Sequence, residues 1–262
     1  MLQRVKDLKK CGISATDGDI GRVVDVYFDD RRWTVRYLVV DTGTWLASRQ
    51  VLISPYAVGR LVPEDDMLTV RLTRRQVEES PDVETHKPVS RQFEEAYARY
   101  YGYPLYWGGS AVWGTSAYPT EAGLTVPPVE PAMAEEAPVL EALGEINPED
   151  FTLRSCNDVA GYRVEATNGE IGHVEDFLVD SDSWQVRYLV IDTTNWWFGG
   201  HVIISPDWVD AVVWADSKIV VDLTREAIRN APPYDPDRLP DADAEARLRR
   251  HYGFRPSSGD GA

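Results

Sequence analysis

The sequence predicts a mainly β protein in which two small β-barrels, related by internal duplication, are each followed by short helices. The first observation is a repeat, since Thr16–Thr42 returns as Thr167–Thr193 at an offset of 151 residues. Pairing Ile13–Tyr103 with Val164–Phe254 aligns 91 positions, of which 33 are identical. The second observation is that short runs rich in Val, Ile, Tyr and Trp alternate with Gly, Asp, Asn and Pro in both copies. Two units of one fold are therefore expected.

The third observation is the different composition of the segment between the copies. Pro104–Thr152 contains no Lys or Arg, has eight acidic residues and is rich in Pro, Ala and Gly, which predicts an extended linker. The expected domains are residues 1–103, the linker 104–152 and residues 153–262. Their net charges are 0, −8 and −8, so the total of −16 is unevenly distributed.

Each predicted element has a local justification. The pairs Asp17-Gly18 and Asn168-Gly169 supply residues that tolerate positive φ, which is typical of hairpin turns. Several short strands at close spacing favour a barrel that closes its own edges. In the first copy the predicted strands are Gly12–Ala15, Ile20–Phe28, Trp33–Asp41, Val51–Ile53, Ala57–Val62 and Met67–Leu72. The predicted helices begin at the N-caps Thr73 and Thr224, with a second helix in each copy at Ser90–Tyr100 and Asp241–His251.

Composition limits the class of function. A net charge of −16 disfavours binding to nucleic acid or to an anionic lipid surface. No run approaches the roughly 18 apolar residues of a membrane span, and the N-terminus is polar, so a cytoplasmic location is expected. Cys11 and Cys156 form neither a disulfide framework nor a zinc-ligand spacing.

Candidate catalytic groups are few. The acidic positions shared by both copies are Asp25, Asp29, Asp41 and their counterparts Asp176, Asp180 and Asp192. Converging carboxylates can bind a metal or transfer protons, but no His or Cys is aligned with them. Turn starts, strand ends and exposed strand positions explain them, and tight turns explain Gly18 and Gly21 with their counterparts. We therefore expect no catalytic residue, cofactor site or metal site.

Aromatic and arginine side chains supply the candidate interface. Trp45 and Trp196 recur in both copies, and Trp197 and Phe198 add bulk to the second loop, where exposed aromatic rings would suit an interface. Barrel packing is the alternative. Arg36 and Arg187 lie on an otherwise apolar strand, and each is expected either to face outward and pair with a cross-strand acid or to contact a partner carboxylate.

The order of these motifs resembles the PRC-barrel family. The pattern is a turn, Gly-(Asp/Glu)-Ile-Gly-x-Val-x-Asp, a strand ending in Tyr-Leu-Val-(Val/Ile)-Asp, then (Leu/Ile)-Ile-Ser-Pro and a closing Val-x-Leu-Thr strand. It covers about Gly12–Ser80 and Arg163–Ala231, and the helical tails resemble extensions in soluble bacterial members. The family includes the cytoplasmic domain of the photosynthetic reaction-centre H subunit and a domain of a ribosome-maturation factor. The resemblance implies a protein-binding, assembly or regulatory module and not an enzyme.

Together these inferences predict a non-enzymatic interaction, assembly or regulatory module with a protein partner whose identity stays open, including a membrane-associated complex. The two copies are expected to pack as an internal pseudo-dimer, and a homodimer is an open alternative. Two other classes also remain open. One is a metal-binding or small-ligand protein or enzyme using the Asp-rich loops, and the other is an accessory of RNA or ribosome maturation.

Overall fold

The computed structural model describes residues 1–62, 66–81, 89–120, 152–194 and 200–253, apart from the side chains of residues 60–62 and 92. The chain divides into two compact units that do not coincide with the repeats in sequence. The first-repeat unit contains Asp7–Ser155 and Asp182–Gln185, and the second-repeat unit contains Met1–Lys6, Cys156–Ser181 and Val186–Ala262.

Short strands and short helices alternate along the described residues. The strands are β1 (Leu2–Arg4), β2 (Gly12–Ala15), β3 (Gly18–Asp29), β4 (Thr34–Asp41), β5 (Gln50–Ile53), β6 (Val58–Val62), β7 (Met67–Val70), β8 (Leu153–Ser155), β9 (Arg163–Ala166), β10 (Gly169–Asp180), β11 (Val186–Asp192), β12 (His201–Ile204), β13 (Val209–Val213) and β14 (Lys218–Val221). The α-helices are α1 (Val5–Leu8), α2 (Arg74–Glu78), α3 (Arg91–Tyr101), α4 (Cys156–Val159), α5 (Arg225–Arg229) and α6 (Ala242–Tyr252).

Each unit is built on one seven-stranded sheet. In the first-repeat unit the order is β5-β4-β3-β2-β7-β6 with β8 paired to β3, and in the second-repeat unit it is β12-β11-β10-β9-β14-β13 with β1 paired to β10. Within each sheet the β2–β7 and β14–β9 pairs are parallel and the other pairs are antiparallel. The mainly β architecture agrees with the prediction, but pairing among the described strands does not close either sheet into a barrel. A turn that contains Pro55, which has no N–H, joins β5 to β6.

The first strand of each repeat pairs with the sheet of the other repeat. Strand β8, which opens the second repeat, pairs with β3, while β1 at the chain start pairs with β10. Two aspartates hydrogen-bond to these segments. Asp25 accepts a hydrogen bond from the Ser155 hydroxyl of β8 at 2.5 Å, and Asp176 accepts one at 3.1 Å from the backbone N–H of Lys6, in the helix α1 that follows β1. Both aspartates are buried, so the prediction that they occupy exposed strand positions is wrong.

Both faces of the central strands are buried. On β4, Leu38 and Val40 lie on one face and Val39 on the other, and all three are at most 1% exposed. Apolar side chains on both faces indicate that the sheet is covered on both sides. We call the face beneath α3 or α6 the outer face of its unit. In the first-repeat unit the outer-face cluster comprises Tyr27, Tyr37, Val39, Leu52, Val89, Tyr97 and Leu153, with Val24, Phe93, Tyr101 and Tyr103 packed against it.

The helices begin where their capping residues predict. The Thr73 hydroxyl accepts a hydrogen bond from the backbone N–H of Gln76 and the Gln76 side chain returns one to the Thr73 N–H, a complete capping box for α2. Ser90 and Asp241 cap α3 and α6 by accepting hydrogen bonds from the backbone N–H groups of Phe93 and Ala244. The two longer helices therefore lie within one residue of their predicted bounds.

Part of the predicted linker is folded. Residues 104–120 pack onto the first-repeat unit, and Tyr106 and Trp113 are 4% and 1% exposed. The Arg32 guanidinium donates to the carbonyl of Ala111 at 2.6 Å and to that of Gly109 at 3.2 Å. An extended linker is therefore wrong for this stretch, whereas residues 121–151 lie outside the described residues.

Candidate functional site

The most chemically distinctive place in the described residues is a buried charge cluster at the outer face of the first-repeat unit. It forms because β3 and β4 carry a β-bulge: Tyr27 pairs with Tyr37 and Phe28 with Val35, which leaves Arg36 unpaired between them. A bulge changes the direction in which a side chain points. At this bulge the Arg36 side chain lies against residues 104–116, which separate it from solvent.

Arg36 is 1% exposed and is surrounded by groups from its own unit. Its guanidinium carbon lies 3.7 Å from the Tyr106 ring centroid and 4.7 Å from that of Trp113. It also donates to the Val112 carbonyl at 2.8 Å and to the Asp29 carboxylate at 3.2 Å. Arg36 therefore pairs with a cross-strand acid, as predicted. The prediction that it faces outward is wrong, because residues 104–116 cover it.

A second carboxylate completes the cluster from α3. Glu94 is 1% exposed, accepts a hydrogen bond from the Tyr106 hydroxyl at 2.7 Å, and lies 3.2 Å from a guanidinium nitrogen of Arg91. Burial raises the pKa of Glu94 to about 7, although the Tyr106 hydrogen bond and the Arg91 charge oppose that shift. Burial likewise lowers the pKa of Arg36, and Asp29 opposes it. The cluster thus contains a carboxyl that titrates near neutral pH.

The residues that cover this cluster are held by hydrogen bonds as well as by packing. The Trp113 indole N–H donates to the carbonyl of Ser183, which belongs to the same unit, at 2.8 Å. The Trp113 ring also packs against Tyr56, with centroids 4.9 Å apart. Arg91 donates to the Tyr106 hydroxyl at 2.8 Å and to the Thr152 hydroxyl at 3.2 Å. This face of the unit is therefore sealed by its own chain.

The same position in the second-repeat unit has a different environment. Arg187 occupies the equivalent bulge, because Leu178 pairs with Tyr188 and Val179 with Val186. Its side chain is only half-buried, and among the described residues no hydrogen bond or ion pair to its guanidinium is found. Asp180, which aligns with Asp29, pairs with the N-terminal ammonium group at 3.2 Å. The outer face around Arg187 is therefore less covered than that around Arg36.

A surface cavity of about 170 Å³ lies beside α6 on the second-repeat unit. Its walls are mainly apolar, and charged side chains line its rim. Tyr234 lines it and is 7% exposed, yet its hydroxyl has no hydrogen-bond partner among the described residues. Burial raises the pKa of this hydroxyl to about 12. The lining residues are Ile203, Pro232, Pro233, Tyr234, Asp235, Arg238, Leu239, Pro240, Asp241, Ala244, Arg247 and Leu248.

Of the aromatic residues predicted to form an interface, the described part of the chain includes Trp45. Trp45 lies in a short 3-10 helix, Gly43–Leu46, and is half-buried. Its indole N–H donates to the Ile20 carbonyl, and the Arg74 guanidinium carbon lies 4.4 Å from its ring centroid. Trp45 therefore packs within its own unit. Trp196, Trp197 and Phe198 lie outside the described residues.

The remaining polar residues have local partners. Asp41 and Asp192 accept hydrogen bonds from the N–H groups of Gly43 and Thr194, as expected of residues that end a strand. His201 lies 2.6 Å from the Glu175 carboxylate. Within the described ranges there is no group of three or more His, Cys, Asp or Glu side chains that could hold a metal ion.

Sequence reasoning did not identify Glu94, Arg91, Tyr106 and Trp113 as members of a site. The available signal was the aromatic density of the stretch that follows α3, Tyr97 to Trp113, which is unusual for an extended linker. Glu94 was also one of the few identical positions in the two helical tails. What the sequence does not indicate is that these residues fold back onto Arg36.

Two units of one mainly β fold, each with an arginine at the same β-bulge and a helical tail, define a tandem-repeat protein. A model of the PRC-barrel domain matches the chain over residues 4–77 and again over residues 151–228. These segments cover more than half of the chain, so the chain belongs to the PRC-barrel family, which confirms the resemblance and the two-copy organisation. No curated protein matches it. Among the described residues, no helix is long and apolar enough to cross a membrane.

Proposed function

We propose that this protein is a non-enzymatic interaction module of the cytoplasm, built from two PRC-barrel units, and that the second-repeat unit carries its docking surface. The supporting observation is that the two units complete the same outer face differently. Arg36 is covered by residues 104–116 of its own unit, whereas Arg187, at the same bulge, is half-buried and has no polar partner among the described residues.

The chemistry at Arg36 indicates what such a surface would contact. A guanidinium that is removed from water needs hydrogen-bond acceptors and gains from aromatic rings packed on its faces. At Arg36 these groups are two aromatic rings, a carbonyl and a carboxylate. Because Arg187 is half-buried, its guanidinium is already partly removed from water. A partner that supplied comparable groups would therefore bury it at a lower desolvation cost than a fully exposed arginine.

The distribution of surface charge favours a specific acidic partner over non-specific binding to polyanions. The chain carries a net charge of −16, which repels polyanions at long range. Locally, the second half of α6 exposes Arg247, Arg249 and Arg250 beside the outer face. A partner with a local acidic group therefore finds a basic surface on an otherwise acidic protein, which is an arrangement that favours one orientation of docking.

Site-specific photo-crosslinking tests this proposal. A photoreactive phenylalanine analogue placed at position 187 in the full chain should crosslink one discrete protein, whereas the analogue at the exposed control position Asp210 should not. The purified pair should then bind in calorimetry, and Arg187→Glu should weaken binding by at least about tenfold while Asp210→Ala leaves it unchanged. Equal crosslinking at both positions, or a pair unaffected by Arg187→Glu, would contradict the proposal.

A further inference from the structure

The cavity beside α6 occupies positions that aromatic side chains fill in the first-repeat unit. At the repeat offset of 151, Ala244 aligns with Phe93 and Leu248 with Tyr97. Phe93 and Tyr97 pack with their ring centroids 6.2 Å apart in the outer-face cluster of that unit. Replacing a phenylalanine by an alanine on the same scaffold removes a ring from the layer between helix and sheet. The second-repeat unit thus lacks both aromatic side chains at these positions, and the change from Phe93 to Ala244 removes the larger volume.

The volume of the cavity is sufficient for an aromatic ring. An apolar cavity of about 150 Å³ in a protein interior is large enough to bind benzene, and this cavity measures about 170 Å³. Ile203, Leu239 and Leu248 supply apolar walls. Tyr234 also lines the cavity, and its buried hydroxyl has no hydrogen-bond partner among the described residues.

The rim adds a cation without a fixed partner. Arg247 lines the cavity and is exposed; its charge acts on the nearby Asp241 carboxylate, but no hydrogen bond or ion pair joins it to another described residue. The other arginine at the rim, Arg238, is already paired with the Asp241 carboxylate at 3.6 Å. Asp241 also caps α6 through the Ala244 N–H at 2.8 Å. A ligand carboxylate would therefore pair with Arg247, because the other charged groups are engaged.

We infer that this cavity is the anchor pocket of the docking surface, and that it receives an aromatic side chain of the protein partner with a carboxylate beside it. This inference rests on the proposed function and specifies its partner as an acidic-aromatic segment. The aromatic ring replaces in trans the ring that Phe93 provides in cis on the other unit. Aromatic anchors in pockets are the usual centres of protein interfaces.

Small probes test the pocket without the partner. N-acetyl-phenylalanine carries the ring and the carboxylate, its primary amide carries the ring alone, and N-acetyl-alanine carries the carboxylate alone. Titrated into the ¹⁵N-labelled full chain, the first should shift the amide resonances of residues 239–248 with millimolar affinity. The other two should bind at least about tenfold more weakly. Equal binding of all three probes, or no shift in this region, would overturn the inference.

Matched variants on α6 separate a specific pocket from general surface effects. Ala244→Phe restores the side chain of the other repeat and should abolish binding of N-acetyl-phenylalanine, whereas Ala246→Phe, on the exposed side of the same helix, should not. Arg247→Ala should reduce the affinity for N-acetyl-phenylalanine to that of the amide, and Arg250→Ala should leave it unchanged. Unaltered probe binding in Ala244→Phe would refute the pocket.

The two proposals fail in different ways. If a partner crosslinks at position 187 and depends on Arg187 but binds Ala244→Phe normally, the docking function stands and the anchor pocket is wrong. If the probes bind the pocket as expected but no partner depends on Arg187, the proposed docking function fails, and the pocket remains a site for aromatic acids only.

Discussion

Glu94 makes the stability of the first-repeat unit depend on pH, and Glu94→Gln should remove that dependence. Burial raises the pKa of this carboxyl from 4.5 to about 7 in the folded protein. The folded state therefore holds the proton more tightly than the unfolded state does. The stabilisation that this provides is fully present below pH 4.5 and is lost as the pH rises through 7.

The size of the effect follows from the difference in pKa. A pKa difference of about 2.5 corresponds to about 3 kcal/mol of unfolding free energy. This stabilisation is lost as the pH rises from 4.5 to 7. Glutamine is neutral at every pH and keeps a carbonyl oxygen that can accept the Tyr106 hydrogen bond. We expect Glu94→Gln to match the wild type near pH 5 and to be more stable by up to about 3 kcal/mol at pH 8.

Hydrogen exchange measures this effect in one unit at a time. Amide protection on β4 reports opening of the first-repeat unit, and protection on β11 reports the second-repeat unit in the same sample. The variant should change the pH dependence on β4 and leave that on β11 unaltered. Glu245→Gln, at the aligned and partly exposed position of α6, is the matched control and should change neither. Wild-type protection on β4 that stays constant or increases from pH 5 to 8 would refute the argument.

Three further predictions concern the bulge, the close approach of strands and the exchanged strand. Arg36→Met, which leaves the buried Asp29 carboxylate without its ion-pair partner, should lower the free energy of unfolding in urea by about 3–5 kcal/mol. Arg187→Met should lower it by less than about 1 kcal/mol, and similar values for the two variants would contradict the assigned environments. Gly21→Ala would place a Cβ atom 2.0 Å from the carbonyl oxygen of Asp41 at φ +159° and should lower the free energy of unfolding by more than about 4 kcal/mol. Gly43→Ala, at φ +59° with no atom within 4 Å, should lower it by only about 1–2 kcal/mol. Leu2→Ala should lower hydrogen-exchange protection on β11 by about 2–4 kcal/mol and leave β4 unaffected; an effect on β4 instead would argue against the pairing of β1 with β10.

Local patterns predicted the elements of this fold closely. The predicted strands lie within two residues of the observed β2 to β6, and β7 ends two residues earlier than expected. Side-chain caps at Thr73 and Ser90 begin the helices where the sequence indicates. These features depend on residues that are neighbours in the chain, so they can be predicted without knowing the tertiary fold.

The reason why position 21 requires glycine differs from the predicted one. Gly21 was expected to make a tight turn, but it lies within β3, where a Cβ atom would meet the backbone of Asp41 and Thr42 at the end of β4. The approach of two strands, and not the turn, therefore requires a residue without a side chain. Such a requirement depends on pairing between residues about 20 positions apart.

The candidate site could not be predicted to the same extent. Arg36 and Arg187 share a sequence context and a bulge, yet one is enclosed by aromatic rings and the other is half-buried. The difference arises from Tyr106 and Trp113, which lie about 70 residues from Arg36 in the chain. No property of the strand itself distinguishes the two arginines.

By itself the sequence determined the family, the duplication, the strands and helices and the uneven distribution of charge, because these follow from local patterning and from the identity of the two copies. Only the tertiary structure decided that β1 and β8 pair with the sheet of the other repeat, that residues 104–120 seal one outer face, and that a cavity remains on the other. The physical reason is that burial and pairing are determined by contacts distant in sequence. Substitutions such as Phe93 against Ala244 alter those contacts while leaving the helix pattern unchanged.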